Sequence, residues 1–409
     1  MTSSALDREP ACWDSIGPEE EPLRAPAAAP VRTLRVRQRS LGQIPGSTWD
    51  GLAAVTPWAT PFSSWAFHRA WWDAYGSSAH EQTLVLEDDD TGEAVAIAPL
   101  MHRHEVEPTD AATHTRMRQA GREDLTQVPP TAKAIFFGAS YHADYATVLG
   151  APADLQAVAD AVVAHLADRA TPDDAHRAPW DVVDLRRLRC GDPTADTLAA
   201  AFGSHEIDEG WTLNVEREDV CPVLTLPAGA DFDGYLGTLG KKARHEIRRK
   251  IRLAESVGDI RLTDSTNPLT DLEFFIDLHQ RRWGDDGLFP PTPGGEASRV
   301  FFRRLFEENG RDGPLRLAFL TVGDRRIAAG LHFRTADSYL YYNAGVDPDS
   351  RDLSPGVIMV AAYVQRAIAE GCRRLDFLRG NEPYKYEWGA VDEPIQRLLV
   401  RRNVGRLDS

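Results

Sequence analysis

Residues 338–390 read SYLYYNAGVDPDSRDLSPGVIMVAAYVQRAIAEGCRRLDFLRGNEPYKYEWGA. Tyr339–Val346 is dense in aromatic and β-branched side chains and runs into a polar turn, which predicts a strand. Ser354-Pro355-Gly356 predicts a helix start, because serine caps helices and proline suits the first turn. Val357, Val360, Ala361, Val364 and Ile368 recur at helical spacing, and Gly371 ends the run. Arg374–Leu378 predicts a second, short strand. Strand, polar loop, helix and strand make a βαβ-like crossover with the helix start at the outer end of the first strand. The unpaired N–H groups and partial positive charge of that start suit a phosphate or pyrophosphate. A polar and aromatic run, Asp376 to Trp388, follows the second strand.

Working outward, the same order of elements occurs earlier in the chain. LVLEDDDTGEAVAIAPLMHR from Leu84 matches LAFLTVGDRRIAAGLHFR from Leu317, each a strand, a turn and a strand. DYATVL, a helix over Ala153–Asp168 and WDVVDL match YLYYNAGV, a helix and RRLDFL. The aromatic helix WAFHRAWWDAYG matches FFIDLHQRRWGDDG. Three elements in one order, twice, predict duplication of one α/β unit. Strands are expected at Thr33–Arg37, Gln82–Glu87, Ala94–His102, Lys133–Gly138, Asp144–Leu149 and Trp180–Leu188. Residues 1–30, rich in Pro, Ala and Glu, read as a disordered tail. His104–Thr131 reads as a surface insertion. Residues 31–210 and 211–409 are then the two halves. The first lacks the SPG-like helix start and the charged run, so chemistry is expected in the second, with the first supplying substrate walls. Trp65, Phe67, Trp71 and Trp72 read as core aromatics.

The chain has 409 residues, a formal net charge of −16 and 42% hydrophobic residues. Such acidity argues against whole-surface affinity for nucleic acid or anionic lipid. No apolar run is long enough to span a membrane, and no secretory leader is visible. Four scattered cysteines without a CxxC pair predict no structural zinc or disulfide framework and point to a reducing cytoplasm. One local exception to the acidity is GKKARHEIRRKIRLAE within Tyr235–Val257. Leu236, Leu239, Ala243, Ile247, Ile251 and Ala254 form an apolar stripe, and Lys241, Lys242, Arg244, Arg248, Arg249, Lys250 and Arg252 cover the other faces. This basic helix, 241–252, is either a solvated face paired with local acids or a site for a polyanion, including peripheral association with a surface. Aromatics do not interleave it, so sequence-specific nucleic-acid binding is not expected.

PFSSWAFHRAWWDAYG, CPVLTLP with FDGYLGTLGKKARHEIRRK, FIDLHQRRW, LSPGVIMVAAYVQRAIAEG and above all LDFLRGNEPYKYEWGA resemble the CelD-like acetyltransferases. These are bacterial members of the GNAT superfamily, associated with polysaccharide synthesis and related to the Fem-type aminoacyltransferases. The resemblance covers roughly Trp49 to Arg402. It implies an α/β (α+β) fold of two tandem GNAT-like halves, each a mixed, mostly antiparallel sheet flanked by helices. It also implies acyl transfer, usually of acetyl from acetyl-CoA or another acyl-CoA, to an amine on a small molecule or glycan. Coenzyme A would lie along Tyr339–Val346, with Asn343, Gly345, Arg351, Ser354 and Gly356 at the donor. The usual Gly-rich pyrophosphate loop is here Arg351-Asp352-Leu353-Ser354-Pro355-Gly356, with a single glycine. An aminoacyl-tRNA donor, or a non-catalytic binding protein on a transferase fold, are the alternatives.

Acyl transfer to an amine needs a deprotonated amine, a polarised carbonyl and a protonated leaving group. Free N–H groups near Asn343–Gly345 can polarise a carbonyl, though Gly345 also reads as a plain strand end. Asp376 can accept the amine proton or pair with Arg379, and Asp184 holds the equivalent place in the first half. Lys385 can meet a phosphate or substrate carboxylate, or pair with Glu382 or Glu387. If the run is extended, Tyr384 and Tyr386 face away from Lys385, one as general acid and one packed. Trp388 reads as core. Arg379 and Glu382, with His279 and Trp283 four apart on a helix, are candidates to bind the acceptor. His279 also reads as a hydrogen-bonded structural residue. No nucleophile elbow, HExxH or P-loop is present, so direct amine attack is expected and no metal.

Overall fold

The computed structural model describes residues 33–103, 125–129, 131–167, 180–204, 210–310 and 313–402. The expected tail, and most of the expected insertion at 104–131, lie outside the described residues. The fold is α/β, with mostly antiparallel sheets flanked by helices. The first unit runs β1 (Leu34–Arg39), α1 (Gly46–Val55), α2 (Trp65–Tyr75), β2 (His80–Glu81), β3 (Thr83–Asp88), β4 (Ala94–Ala98), β5 (Leu100–Arg103), β6 (Ala134–Phe137), β7 (Leu149–Gly150), α3 (Leu155–Ala167), β8 (Val182–Arg189), α4 (Pro193–Gly203) and β9 (Trp211–Thr225). Two linking helices follow, α5 (Phe232–Thr238) and α6 (Lys241–Glu255). The second unit runs β10 (Ile260–Asp264), α7 (Pro268–Trp283), α8 (Pro293–Asn309), β11 (Leu315–Val322), β12 (Arg325–Arg334), β13 (Ser338–Val346), α9 (Pro355–Ala369), β14 (Arg374–Asp376), α10 (Pro383–Glu387) and β15 (Val391–Arg402). The repeated order is present except at Asp144–Val148, where the counterpart of β13 is reduced to the two-residue β7.

One sheet crosses both units in the order β10-β11-β12-β13-β14-β9-β15-β8-β6-β5-β2. The last strands are exchanged: β9 of the first unit pairs with β14 of the second, and β15 of the second pairs with β8 of the first. A smaller sheet, β1-β3-β4-β7, belongs to the first unit alone. The expected single strand Ala94–His102 is broken at Pro99, which has no N–H to give a ladder. Its β4 part joins the small sheet and its β5 part the large one. The chain between β6 and β7 is split in the same way. Asp144–Val148, expected as strand, instead leaves the sheet in an excursion from Ala139, because its polar residues find partners elsewhere. The short β7 is all that rejoins.

Helices α2 and α8 tie the units together. The Ser64 hydroxyl caps α2 by accepting from the Phe67 N–H at 3.2 Å, and the Thr292 hydroxyl caps α8 through Gly295. Their apolar faces meet edge-on, with Phe67 and Phe301 rings 5.3 Å apart. Phe67 and Trp71 are core residues, as read, while Trp65 and Trp72 are half-buried. The basic stretch 235–257 is two helices rather than one, interrupted at Leu239-Gly240. Ile247 and Ala254 of its stripe are buried, and Ile251 packs at the edge of the core beneath α9. Among the described residues no helix is long and apolar enough to cross a membrane.

Candidate active site at the splayed strands

Strands β13 and β14 are parallel and pair at three positions only: Ser338 with Arg374, Tyr339 with Leu375, and Leu340 with Asp376. Beyond Leu340 they part. β13 runs on to Val346 against β12 alone, with a bulge opposite Leu331 and His332. Its other edge therefore carries N–H and C=O groups, from Tyr341 onward, that no strand takes up. β14 instead ends in a turn through Leu378 and Gly380, both at positive φ (58° and 114°). A bulky residue such as Leu378 adopts that conformation only when its surroundings enforce it.

Those surroundings are visible. The Leu378 N–H donates to Asp376 Oδ1 at 2.7 Å. The Lys385 ammonium, buried on α10, donates to the carbonyls of Leu378, Arg379 and Gly380 at 3.1, 3.3 and 2.8 Å. It also pairs with Glu382 at 2.9 Å. A compact ammonium with three donors suits three converging carbonyls. Of the two readings of Lys385, the internal pair is the one observed, and its donors are spent on the turn. The run is also not extended: Pro383–Glu387 is a short helix. Tyr384 is about 40% exposed and meets Phe377 edge-on. The Tyr386 hydroxyl donates to Asp392 at 2.7 Å, and burial with that carboxylate pushes its pKa up to about 12. Trp388 is core.

Asp376 does not pair with Arg379. Its Oδ2 accepts from the Tyr145 hydroxyl at 2.8 Å, and Arg379 Nε donates to Asp144 at 3.1 Å. Both partners come from the excursion of the first unit, and so does the His142 carbonyl, which accepts from the Tyr342 hydroxyl at 2.9 Å. Burial lifts the Asp376 pKa from 3.8 to about 6, against the hydrogen bonds from Tyr145 and Leu378 that favour its charged form. The equivalent Asp184 is unlike it. Arg186 and Arg397 hold its pKa below the ordinary value, and it serves the packing of the exchanged strand.

His279 is buried among the rings of Phe275, Phe289 and Trp283. It stands beside Gly345. A Cβ added there would lie 2.8 Å from the His279 backbone nitrogen and 2.9 Å from Leu278 Cβ. Gly345 therefore exists for the close crossing of α7 over β13, more than for a strand end. Asn343 uses its side-chain oxygen to accept from the Ala344 N–H. At the start of α9, Ser354 is left-handed (φ 53°, ψ 54°) and its hydroxyl makes no cap bond, which corrects the expected side-chain cap. Pro355 has no N–H, and the first intrahelical donors are Val357 and Ile358. Gly356 is exposed with open space where a side chain would stand, so a group can approach the helix start. Arg351 is exposed beside it. Asp347 is answered by Arg281 at 3.1 Å and Arg325 at 2.7 Å.

The fold thus brings Asp376, Arg379, Glu382 and Lys385 around one turn, and sets His279 against Gly345. The helix start that holds Ser354 and Gly356 follows β13 at the same end of the sheet as Asp376. Tyr384 and Tyr386 lie outward of the turn. Sequence reasoning missed Tyr145, Asp144, His142 and Tyr342. The signal available was HADY, polar residues next to an apolar strand, whose partners lie some 200 positions away or more. Among the described residues no group of three or more His, Cys, Asp or Glu side chains could hold a metal ion.

A strand pair that splays after three rungs, with a helix start beside it, agrees with the arrangement the sequence resemblance implies. The family model described as an acetyltransferase (GNAT) domain matches residues 241–386. FemX shares the fold at a TM-score of 0.51 and 10% identity, covering 88% of this chain and 96% of its own. A conserved protein of unknown function from Bacteroides thetaiotaomicron VPI-5482 does so at 0.51 and 13%, covering 90% and 99%. No curated protein matches the chain in sequence.

Proposed function

We propose that the protein is an acyl-CoA-dependent N-acyltransferase that places an acyl group, acetyl in the first instance, on an amine. An amino sugar of polysaccharide or envelope synthesis is the acceptor class the resemblance favours, in the cytoplasm. We take 31–210 and 211–409 as its two halves along the sequence, with β9, which starts at that boundary, completing the first unit's order of elements in the fold. The single observation that carries the reading is the splay itself: a strand edge without a partner strand on one lip and a carboxyl whose pKa burial lifts to about 6 on the other.

Acyl-CoA, when bound, supplies an activated thioester carbonyl. Those N–H groups of Tyr341–Val346 that β12 and the Asn343 side chain leave open polarise that carbonyl, and the open start of α9 at Gly356, with Arg351, receives the phosphates. Asp376 accepts the proton of the attacking amine, a task for which a pKa near neutrality is suited. We assign the return of a proton to the leaving sulfur to Tyr384, exposed above Phe377, because Tyr386 already donates to Asp392. Lys385 and Glu382 hold the turn, and His279 with Trp283 walls the acceptor side. Isothermal titration with acetyl-CoA tests this reading. Saturable binding, weakened by Gly356→Asp, is expected; no heat at millimolar acetyl-CoA would sink it.

A second reading, transfer from aminoacyl-tRNA, draws on α6. Arg248 pairs with Asp233 and Arg249 with Glu246, yet Lys241, Lys242 and Arg252 are exposed along the same helix. It predicts tRNA binding with a steep salt dependence, reduced by Lys241→Glu with Lys242→Glu.

A further inference from the structure

The excursion Ala139–Val148 leaves the first unit's sheet and lands on both lips of the second unit's splay. The His142 carbonyl takes the hydroxyl of Tyr342 on the β13 lip. Asp144 and Tyr145 take Arg379 and Asp376 on the β14 lip. These bonds begin where the second unit's own ladder stops, at Leu340 and Asp376. We propose that Tyr145 is a positioning residue for Asp376, supplied by the first unit, so that the two units form one active site.

The inference rests on the acyl-transfer reading for its functional meaning, and on geometry alone for its physical content. With Oδ1 held by the Leu378 N–H and Oδ2 by Tyr145, the carboxylate has one orientation. Tyr145 is itself fixed. Arg189 stacks over its ring at 4.9 Å, and Arg189 pairs with Glu393, which also binds Arg374. The other titratable groups facing Asp376 and Tyr145 are Cys221 on β9, whose thiol burial keeps protonated, and the Asp144–Arg379 pair. Arg189 favours the carboxylate and Glu393 opposes it. Tyr145 donates to the charged form, so its loss disfavours that form.

Carbon-detected NMR of labelled aspartate carboxyls, with Asp376→Asn to assign the signal, reads the Asp376 pKa directly in the purified full chain. Tyr145→Phe is expected to raise it by about one pH unit or more, the scale of one hydrogen bond to a charge. Tyr342→Phe, which cuts the other lip's bond, is expected to leave it in place. Acetyl transfer from acetyl-CoA to glucosamine, followed against pH, is the second readout. In Tyr145→Phe the ascending limb of the rate should move to higher pH by the same amount. An unmoved carboxyl signal, or equal movement in Tyr342→Phe, would overturn the positioning role. A moved signal with no Asp376-dependent rate limb would leave the positioning standing and count against the acyl-transfer reading instead.

Discussion

Arg379 and Asp144 are 235 residues apart in sequence and 3.1 Å apart in space, and both are buried. The pair pins the turn that carries the candidate base of one unit to the excursion of the other. Removing one partner leaves a buried charge without its counterpart, which is far worse than removing both. Asp144→Ala should therefore lower stability by about 3 kcal/mol, and Asp144→Ala with Arg379→Met by clearly less. Urea unfolding of the three proteins checks this. Additive losses would show that the pair is not coupled.

Lys385 makes a different prediction, because its counterion Glu382 is partly exposed while its carbonyl partners Leu378 and Arg379 are buried. Lys385→Ala should cost about 2 kcal/mol through unsatisfied carbonyls and release the left-handed turn at Leu378. Lys385→Arg should fail to rescue it, since a planar fork cannot meet three converging oxygens. Thermal melts, with backbone amide exchange at Leu378–Gly380, distinguish turn release from global loss. Full rescue by arginine would refute the carbonyl-clamp account.

At Gly345 the crossing helix leaves no room for a methyl group. Gly345→Ala should destabilise by about 1–3 kcal/mol as overpacking, with the strain falling on α7 near His279. Gly356→Ala, where nothing stands within 4 Å, should cost nothing measurable. Paired denaturation curves decide. Equal behaviour of the two variants would mean that α7 moves aside freely.

The raised pKa of Asp376 has a stability consequence of definite sign. Between roughly pH 4 and about 6 the folded protein holds this proton more tightly than the unfolded chain does. Its contribution is therefore greatest at low pH and is lost as pH rises through that window, by about 2–3 kcal/mol. Asp376→Asn does not titrate, so the stability of wild type relative to this variant should fall across the window and then level. Chemical denaturation at several pH values from 4 to 7 measures it. Parallel profiles would place the folded pKa near the ordinary value.

Much of the fold is legible in the sequence. Hydrophobic period located α2, α7, α9 and β13, because side-chain alternation and helical spacing are local. The tandem order was legible for the same reason, since each unit repeats its own local signals. Less of the site could be read. The cap at Ser354 followed residue preference, yet the pre-proline backbone there is left-handed and the hydroxyl is not used. Of the two sequence readings of Asp376, pairing with its neighbour Arg379 does not occur, because the turn points Arg379 at Asp144. Lys385 stood out as a rare lysine, but rarity does not tell whether an ammonium faces ligand or carbonyls.

By itself the sequence determined where the strongly patterned elements such as α2, α9 and β13 lie, that their order recurs, and which polar run follows β14. Only the tertiary structure decided that Pro99 divides the first unit's sheet, that β9 and β15 change places, and that Tyr145 reaches Asp376. The reason is one of range. Period and capping act within a few residues, whereas a buried carboxyl takes its partner from whatever donor packing brings near, however distant along the chain.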